Sequence, residues 1–264
     1  MPAIELYHIL FFLFGSIIGS FLNVVIWRIP RGESIVAPPS HCPSCNTHIA
    51  PYDNIPLFSW LILGGKCRHC KKGISSRYFI VEFITGLFTL LMILTYGLTP
   101  LFFVHLFLLY MLIAITFIDL DHYIIPNEFI LVGLGLIFSA HVFKWLPITM
   151  IDGLYGALAY GGFLFVIGKV GSTILKKESM GFGDVKLGLV IGGLLGLKLS
   201  VLALFLSFLI SALFTLVGVA LFKMEAKGKI PFGPFMAGGT LVVFLTRTVG
   251  GGNSILNWYF TTMF

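Results

Sequence analysis

Residues 6–27 read "LYHILFFLFGSIIGSFLNVVIW", with no Asp, Glu, Lys or Arg among them. A helix needs about 20 predominantly apolar residues to cross a bilayer, so this run is long enough. Its flanks decide between a retained span and a cleaved secretion signal. No basic segment precedes it, and it ends in "WRIPRGE" rather than in small residues suited to cleavage. It therefore reads as a retained helix.

The rest of the chain repeats the pattern. Of 264 residues 58% are hydrophobic and only 11% are charged, and 27 are Phe. A soluble domain of this length would need far more polar surface, so the fold class is an all-α polytopic membrane protein. Eight spans are expected, at about 6–27, 79–98, 101–118, 128–143, 153–170, 184–197, 201–222 and 232–248. Basic residues gather in cytoplasmic loops, which sets the orientation. With the N-terminus outside, the inner loops hold 14 of the 17 Lys and Arg, leaving Lys144, Lys198 and Arg247 outside. Both termini then face away from the cytoplasm. The net charge of +6 follows this topology, so nucleic acid is not expected as a partner.

Residues 28–78 form the only long polar insertion, and all four cysteines lie in it, as Cys42-x2-Cys45 and Cys67-x2-Cys70. Two CxxC pairs at this separation match a zinc ribbon, in which two tight knuckles supply four thiolates to one tetrahedral metal. Two disulfides are the alternative, but the charge pattern puts this loop in the cytoplasm, where thiols stay reduced. So small a domain has too little core to fold unaided, and four thiolates leave no open position for water. The metal expected is a structural zinc, and His41, His48 and His69 are not needed as ligands. The chain divides into a first helix (1–27), a four-cysteine zinc-binding loop domain (28–78) and a seven-helix membrane domain (79–264).

Charge recurs at two inner membrane ends, "TFIDLDHYIIPNEF" (116–129) and "MGFGDVKLG" (180–188). Asp119 and Asp121 are two residues apart, about 200° around a helix, so they do not form one site. Asp184 is expected at the same face as Asp119. Two carboxylates brought together can share one proton, so that one activates water while the other donates, which is aspartic-protease chemistry. Gly181 and Gly183 would permit a tight turn beside the acid and close approach by an extended peptide. Asp184 as the N-cap of the sixth span, and Asp119 as a solvated helix end, are the competing readings of the same residues.

Four blocks, "GSFLNVVIWRIP" (19–30), "HCPSCNTHIAPYDNIPLFSWLILGGKCRHCKKGISSRYFIVE" (41–82), "FIDLDHYIIPN" (117–127) and "GFGDVKL" (181–187), together resemble the type IV prepilin peptidase family. The resemblance covers most of the chain, and both acidic motifs and both cysteine pairs are present. It implies a bifunctional leader peptidase and N-methyltransferase, a GxGD-type membrane aspartic protease of the bacterial inner membrane. Asp119 and Asp184 match the family's catalytic acids, with Gly181 and Gly183 as the supporting loop. The implied substrates are type IV prepilins or type II secretion pseudopilins, cut after glycine at the cytoplasmic face. The new N-terminal residue is then methylated with S-adenosylmethionine as donor.

No GxGxxG follows a strand pattern, so a Rossmann methyltransferase is not indicated. Gly65 and Lys66, before the second CxxC, are candidate methyl-donor contacts, with a turn and a solvated charge as their bland roles. Glu82 could bind the product amine or the leader, or snorkel as a helix-end charge. Competing functions are a peptidase without methyl transfer and, from another class, a transporter, although no paired broken segments in two related halves mark a transport site.

Overall fold

The structure is a computed structural model and describes residues 6–177, 179–222, 230–247 and 252–263. Lys223, Lys227 and Lys229 of the expected third inner loop, and Thr248 at the end of the eighth expected span, lie outside the described residues. Among the described residues the regular structure is helical, with three isolated β-bridges. The chain divides into two compact units, Met1–Leu98 and Thr99–Phe264, so the helix expected at 79–98 groups with the first one.

The first unit contains α1 (Leu6–Arg28), the short α2 (Phe58–Ile62) and α3 (Ser76–Tyr96). Helices α1 and α3 run antiparallel, with Gly15 against Gly86 and Gly19 against Glu82. A Cβ on Gly19 would stand 2.7 Å from the Glu82 Cα, so the two backbones are in contact. Small residues at i and i+4 allow that approach, and close packing is what associates helices in lipid. Thr85 and Thr89 donate their hydroxyls to the Val81 and Thr85 carbonyls at 2.6 and 2.7 Å, which satisfies them without water.

The second unit begins with α4 (Pro100–His122) and α5 (Asn127–Val142). Helix α6 (Met150–Ala157) passes through one π-helical turn, Leu158–Gly162, into α7 (Phe163–Leu175). Then come α8 (Phe182–Phe222), α9 (Gly233–Leu245) and α10 (Ser254–Met263). Helix α4 is the most enclosed of the long helices: Leu108, Leu112, Ile115 and Ile118 are all fully buried.

Helix α8 is not one rod. Gly196 has φ 75° and ψ 173°, which no helix allows. The Tyr160 ring packs on Gly188 while its hydroxyl lies 2.9 Å from Ser207 Oγ. On a straight helix those two positions would be about 28 Å apart. The chain therefore turns back at Gly196, and Ser200 Oγ, now beside the first half, donates to the Gly192 carbonyl at 3.2 Å. Asp152 accepts the Leu197 N–H at 3.3 Å and so caps the second half.

Each of the eight apolar segments expected from sequence overlaps a helix, but the expected bounds overrun the second, fourth and eighth, whose helices end at Tyr96, Val142 and Leu245, and the sixth and seventh meet at the non-helical Gly196. Among the described residues, five helices are long and apolar enough to cross a membrane, and Asn127–Val142 and Gly233–Leu245 are shorter apolar ones.

Candidate active site and candidate metal centre

In the first unit the two CxxC segments adopt one backbone pattern twice. Cys42 N–H donates to the Thr47 carbonyl and Asn46 N–H to the Cys42 carbonyl, both at 2.9 Å. Twenty-five positions on, Cys67 pairs with Lys72 at 2.9 Å and Lys71 with Cys67 at 3.0 Å. Asn46 and Lys71 both take positive φ (54° and 58°), and the bridges His41–His48 and Lys66–Gly73 close the two knuckles. Each turn is tightened so that both of its thiols face one point.

The four sulfurs lie within 4.8 Å of one another, with Cys42 to Cys70 at 3.9 Å and Cys45 to Cys67 at 4.0 Å. Four thiolates about 2.3 Å from a tetrahedral Zn²⁺ would stand about 3.8 Å apart, so the set fits that ion. A disulfide would need about 2.05 Å, and the four cysteines are free thiols. Hydrogen bonds from the Thr47 hydroxyl and backbone lower the Cys45 thiol to about 6. Backbone bonds from Cys70 and His69 lower Cys67 as well. Against a lowering backbone bond from Lys72, burial and the neighbouring sulfurs push the Cys70 thiol up to about 11, so the fit to a metal rests on the sulfur geometry rather than on easy ionisation of the set. His41, His48 and His69 stay outside the cluster.

The neighbouring residues have clear structural roles. Gly65 has φ 65°, and a Cβ there would come 2.8 Å from the Trp60 ring, so the position demands glycine. Lys66 follows it with an exposed side chain. Glu82 is buried rather than snorkelling, and its Oε2 accepts the Leu57 N–H at 2.8 Å. That bond fastens the cysteine loop to α3.

In the second unit, Asp119 and Asp121 diverge as their spacing predicts: Asp119 is 5% exposed and Asp121 faces outward. Tyr123 ends α4 in a left-handed conformation, and Ile124–Pro126 lead directly into α5. Gly181 precedes α8, so Asp184 occupies the third helical position rather than the N-cap. Its carboxylate bends back to the Gly181 backbone, as an acid at that position does in a capping box. Gly183 packs on Ile125, where an added Cβ would stand 3.0 Å from the Ile125 Cβ. The GFGD turn thus rests on the α4–α5 turn, and the Asp119 carboxylate acts electrostatically on Asp184.

Two further groups, unassigned from sequence, complete this end. Gly233 N–H donates to Asp119 Oδ2 at 2.9 Å in a buried bond. Lys186 Nζ donates to Asn127 Oδ1 at 2.8 Å and ties α8 to the start of α5. The only sequence signal for Gly233 is "PFGPF" (231–235), a proline at the first turn of an apolar helix. The N-termini of α5, α8 and α9 thus converge on the C-terminal end of α4. Two of them present backbone N–H groups to a carboxylate, an arrangement that favours negative charge. The result is a pair of acids, one enclosed and one half-exposed, at the border of an apolar bundle.

Comparison with known proteins gives a consistent answer. A family model described as "Bacterial Peptidase A24 N-terminal domain" matches residues 13–96, and one described as "Type IV leader peptidase family" matches residues 106–216. A protein of Aeromonas salmonicida named "Prepilin leader peptidase/N-methyltransferase" is 36% identical, covering 98% of this chain and 95% of its own length. Proteins of the same name from Pseudomonas aeruginosa (34% identical, 85% of each chain) and Bacillus subtilis (33%, 94% of this chain and 96% of its own) also match. No solved structure matches.

Proposed function

The chain belongs to the type IV leader peptidase family, and from that premise we propose that it cuts the basic leader from prepilins or pseudopilins with Asp119 and Asp184 and then N-methylates the new terminus. One observation carries the peptidase reading. Acids 65 positions apart in sequence lie at the same end of one helical unit, because Gly183, next to Asp184, packs on Ile125 of the α4–α5 turn, and Asp119 is enclosed and hydrogen-bonded there.

The two carboxylates hold one proton between them. The ionised one takes a proton from water as the water oxygen attacks the scissile carbonyl carbon, and the other gives its proton to the carbonyl oxygen. The tetrahedral diol then collapses: the C–N bond breaks and the leaving amine takes the proton that came from water. No metal enters these steps. A cut at the membrane border suits a substrate whose polar leader stays in water while the apolar segment after the cut stays in lipid.

Eight spans, with residues 28–78 as a cytoplasmic metal-binding insertion and both termini outside, give this site a cytoplasmic position in the inner membrane. The positive-inside count supports that orientation. Cys42, Cys45, Cys67 and Cys70 would hold a structural zinc, which folds the loop and leaves no open coordination position. S-adenosylmethionine supplies a methyl group to the new α-amine. Its contacts are assigned to the cysteine loop, where Gly65 sets the turn and Lys66 offers an exposed cation.

The test is to incubate the purified full-length protein with a prepilin and labelled S-adenosylmethionine, scoring cleavage and methylation separately. Both products are expected. Near-normal cleavage by Asp119→Asn or Asp184→Asn would remove the dyad, and cleavage without label transfer would leave a peptidase alone.

A further inference from the structure

We propose that Gly233 is a positioning residue of the peptidase centre. Its backbone N–H clamps Oδ2 of Asp119 and leaves Oδ1 as the oxygen that meets water and Asp184. The inference rests on the dyad reading above.

The contact joins residues 114 positions apart, is buried, and has a donor–acceptor distance of 2.9 Å. A Cβ on Gly233 would stand 2.7 Å from Asp119 Oδ2 and 3.3 Å from its Cγ, so any side chain here would push the carboxylate aside. Pro234 follows and has no N–H, so it offers no second donor beside the Gly233 amide. The turn is braced on both sides. The Phe232 ring lies 5.1 Å from Phe208 and the Phe235 ring 5.4 Å from Phe214, both on the second half of α8. An amide held this firmly at a helix N-terminus fixes the carboxylate's rotamer and favours its ionised form.

The other ionisable side chains near this end include Asp121, His122 and Tyr123 at the end of α4, Glu128 on α5, Tyr160 in the π-helical turn, whose phenol interacts with Asp184, and Asp184 and Lys186 on α8, while α9 carries none. Among the described residues, the group on a neighbouring helix that bonds Asp119 is the Gly233 amide.

Three full-length proteins in detergent, each given a prepilin, test this. Gly233→Ala adds the colliding Cβ. Gly238→Ala is the control, because its Cβ would meet only the Ile210 side-chain tip at 3.5 Å. The third carries glycolic acid in place of Gly233, so an ester replaces the amide and the donor is lost without added bulk. Gly233→Ala should lower kcat for cleavage about a hundredfold, the effect of a small misplacement at a reacting centre, with KM little changed. Methylation of an already cleaved pilin should persist, and Gly238→Ala should match the parent.

The ester should lower kcat about tenfold, and the acid limb of its pH–rate profile should move to higher pH, because a carboxylate without its donor takes up a proton more readily. An ester protein with the parent's kcat and acid limb overturns the proposal even if Gly233→Ala fails to accumulate. So does parent-like cleavage by Gly233→Ala. If Asp119→Asn still cleaves, the dyad itself falls, a different result from a silent Gly233 beside an essential Asp119.

Discussion

The cysteine cluster and the acid pair are built in opposite ways. Cys42 and Cys70 are 28 residues apart, and two copies of one short turn assemble their site. Asp119 and Gly233 are 114 residues apart, and the ends of four helices must meet to make theirs. The cluster directs every donor inward at one point and is chemically closed. The acid pair leaves carboxylate oxygens at the border of the bundle and is chemically open. A closed site can stabilise a fold, whereas an open one can act on another molecule.

The comparison is tested hardest by removing the acids. Asp119→Asn and Asp184→Asn should each lower prepilin cleavage by about a thousandfold or more, since each removes one proton-transfer partner. Both variants should keep the parent's content of any metal held by the four cysteines and should methylate a pilin that has already been cleaved. Loss of metal from either one would show that the two sites are not independent.

The reverse experiment comes next in size. Structural zinc contributes about 10–16 kcal/mol in small zinc-binding peptides, so the knuckles should not survive its loss. Metal analysis should find about one zinc per chain. Stripping it with a chelator, or Cys42→Ser with Cys67→Ser, should open residues 28–78 to limited proteolysis and abolish methylation. Cleavage should fall much less. Equal loss of both activities would place the peptidase centre under the loop's control and end the separation.

The difference in construction also explains what the sequence disclosed. The CxxC pairs were legible because their geometry is local: spacing alone brings two thiols to one side of a turn. The long apolar segments were legible as helices because an apolar run of that length satisfies its own backbone only by coiling. The divergence of Asp119 from Asp121 followed from about 100° of rotation per residue. Hydropathy placed a break near Lys198, between the sixth and seventh expected spans, close to the reversal at Gly196; it does not say which helix ends meet, so the arrival of α9 at Asp119 was hidden. Gly233 acts through a main-chain amide and has no side chain to attract notice. Glu82 was legible as an unusual acid, but its partner is the Leu57 amide 25 residues away, again a backbone group.

A smaller effect probes how the open site is held. Lys186→Met removes the bond to Asn127 but keeps most of the side chain's bulk. The bond is exposed, so its loss should cost no more than about 1 kcal/mol and slow cleavage about threefold to fivefold. KM should hardly move, because the change loosens the seating of α8 on the α4–α5 turn rather than a substrate contact. A hundredfold loss would instead mean that Lys186 meets the substrate.

The smallest effect belongs to the closed site, at the ion pair where Arg68 grips Asp53 through two nitrogens at 2.6–3.0 Å. Hydrogen bonding by Arg68 holds the Asp53 carboxyl below its ordinary range. A carboxyl lowered on folding contributes stability above its unfolded value, about 3.9, and loses that contribution as pH falls through its folded value. Arg68→Met should therefore weaken the zinc-loaded loop slightly and by the same amount from about pH 5 to 8, with the difference vanishing only below about pH 4. Arg68 is half-exposed, so salt should also shrink the difference. Melting of the two proteins across this range measures it. A difference that grows or fades between about pH 5 and 8 would rule out the Asp53 carboxyl as the group that sets it.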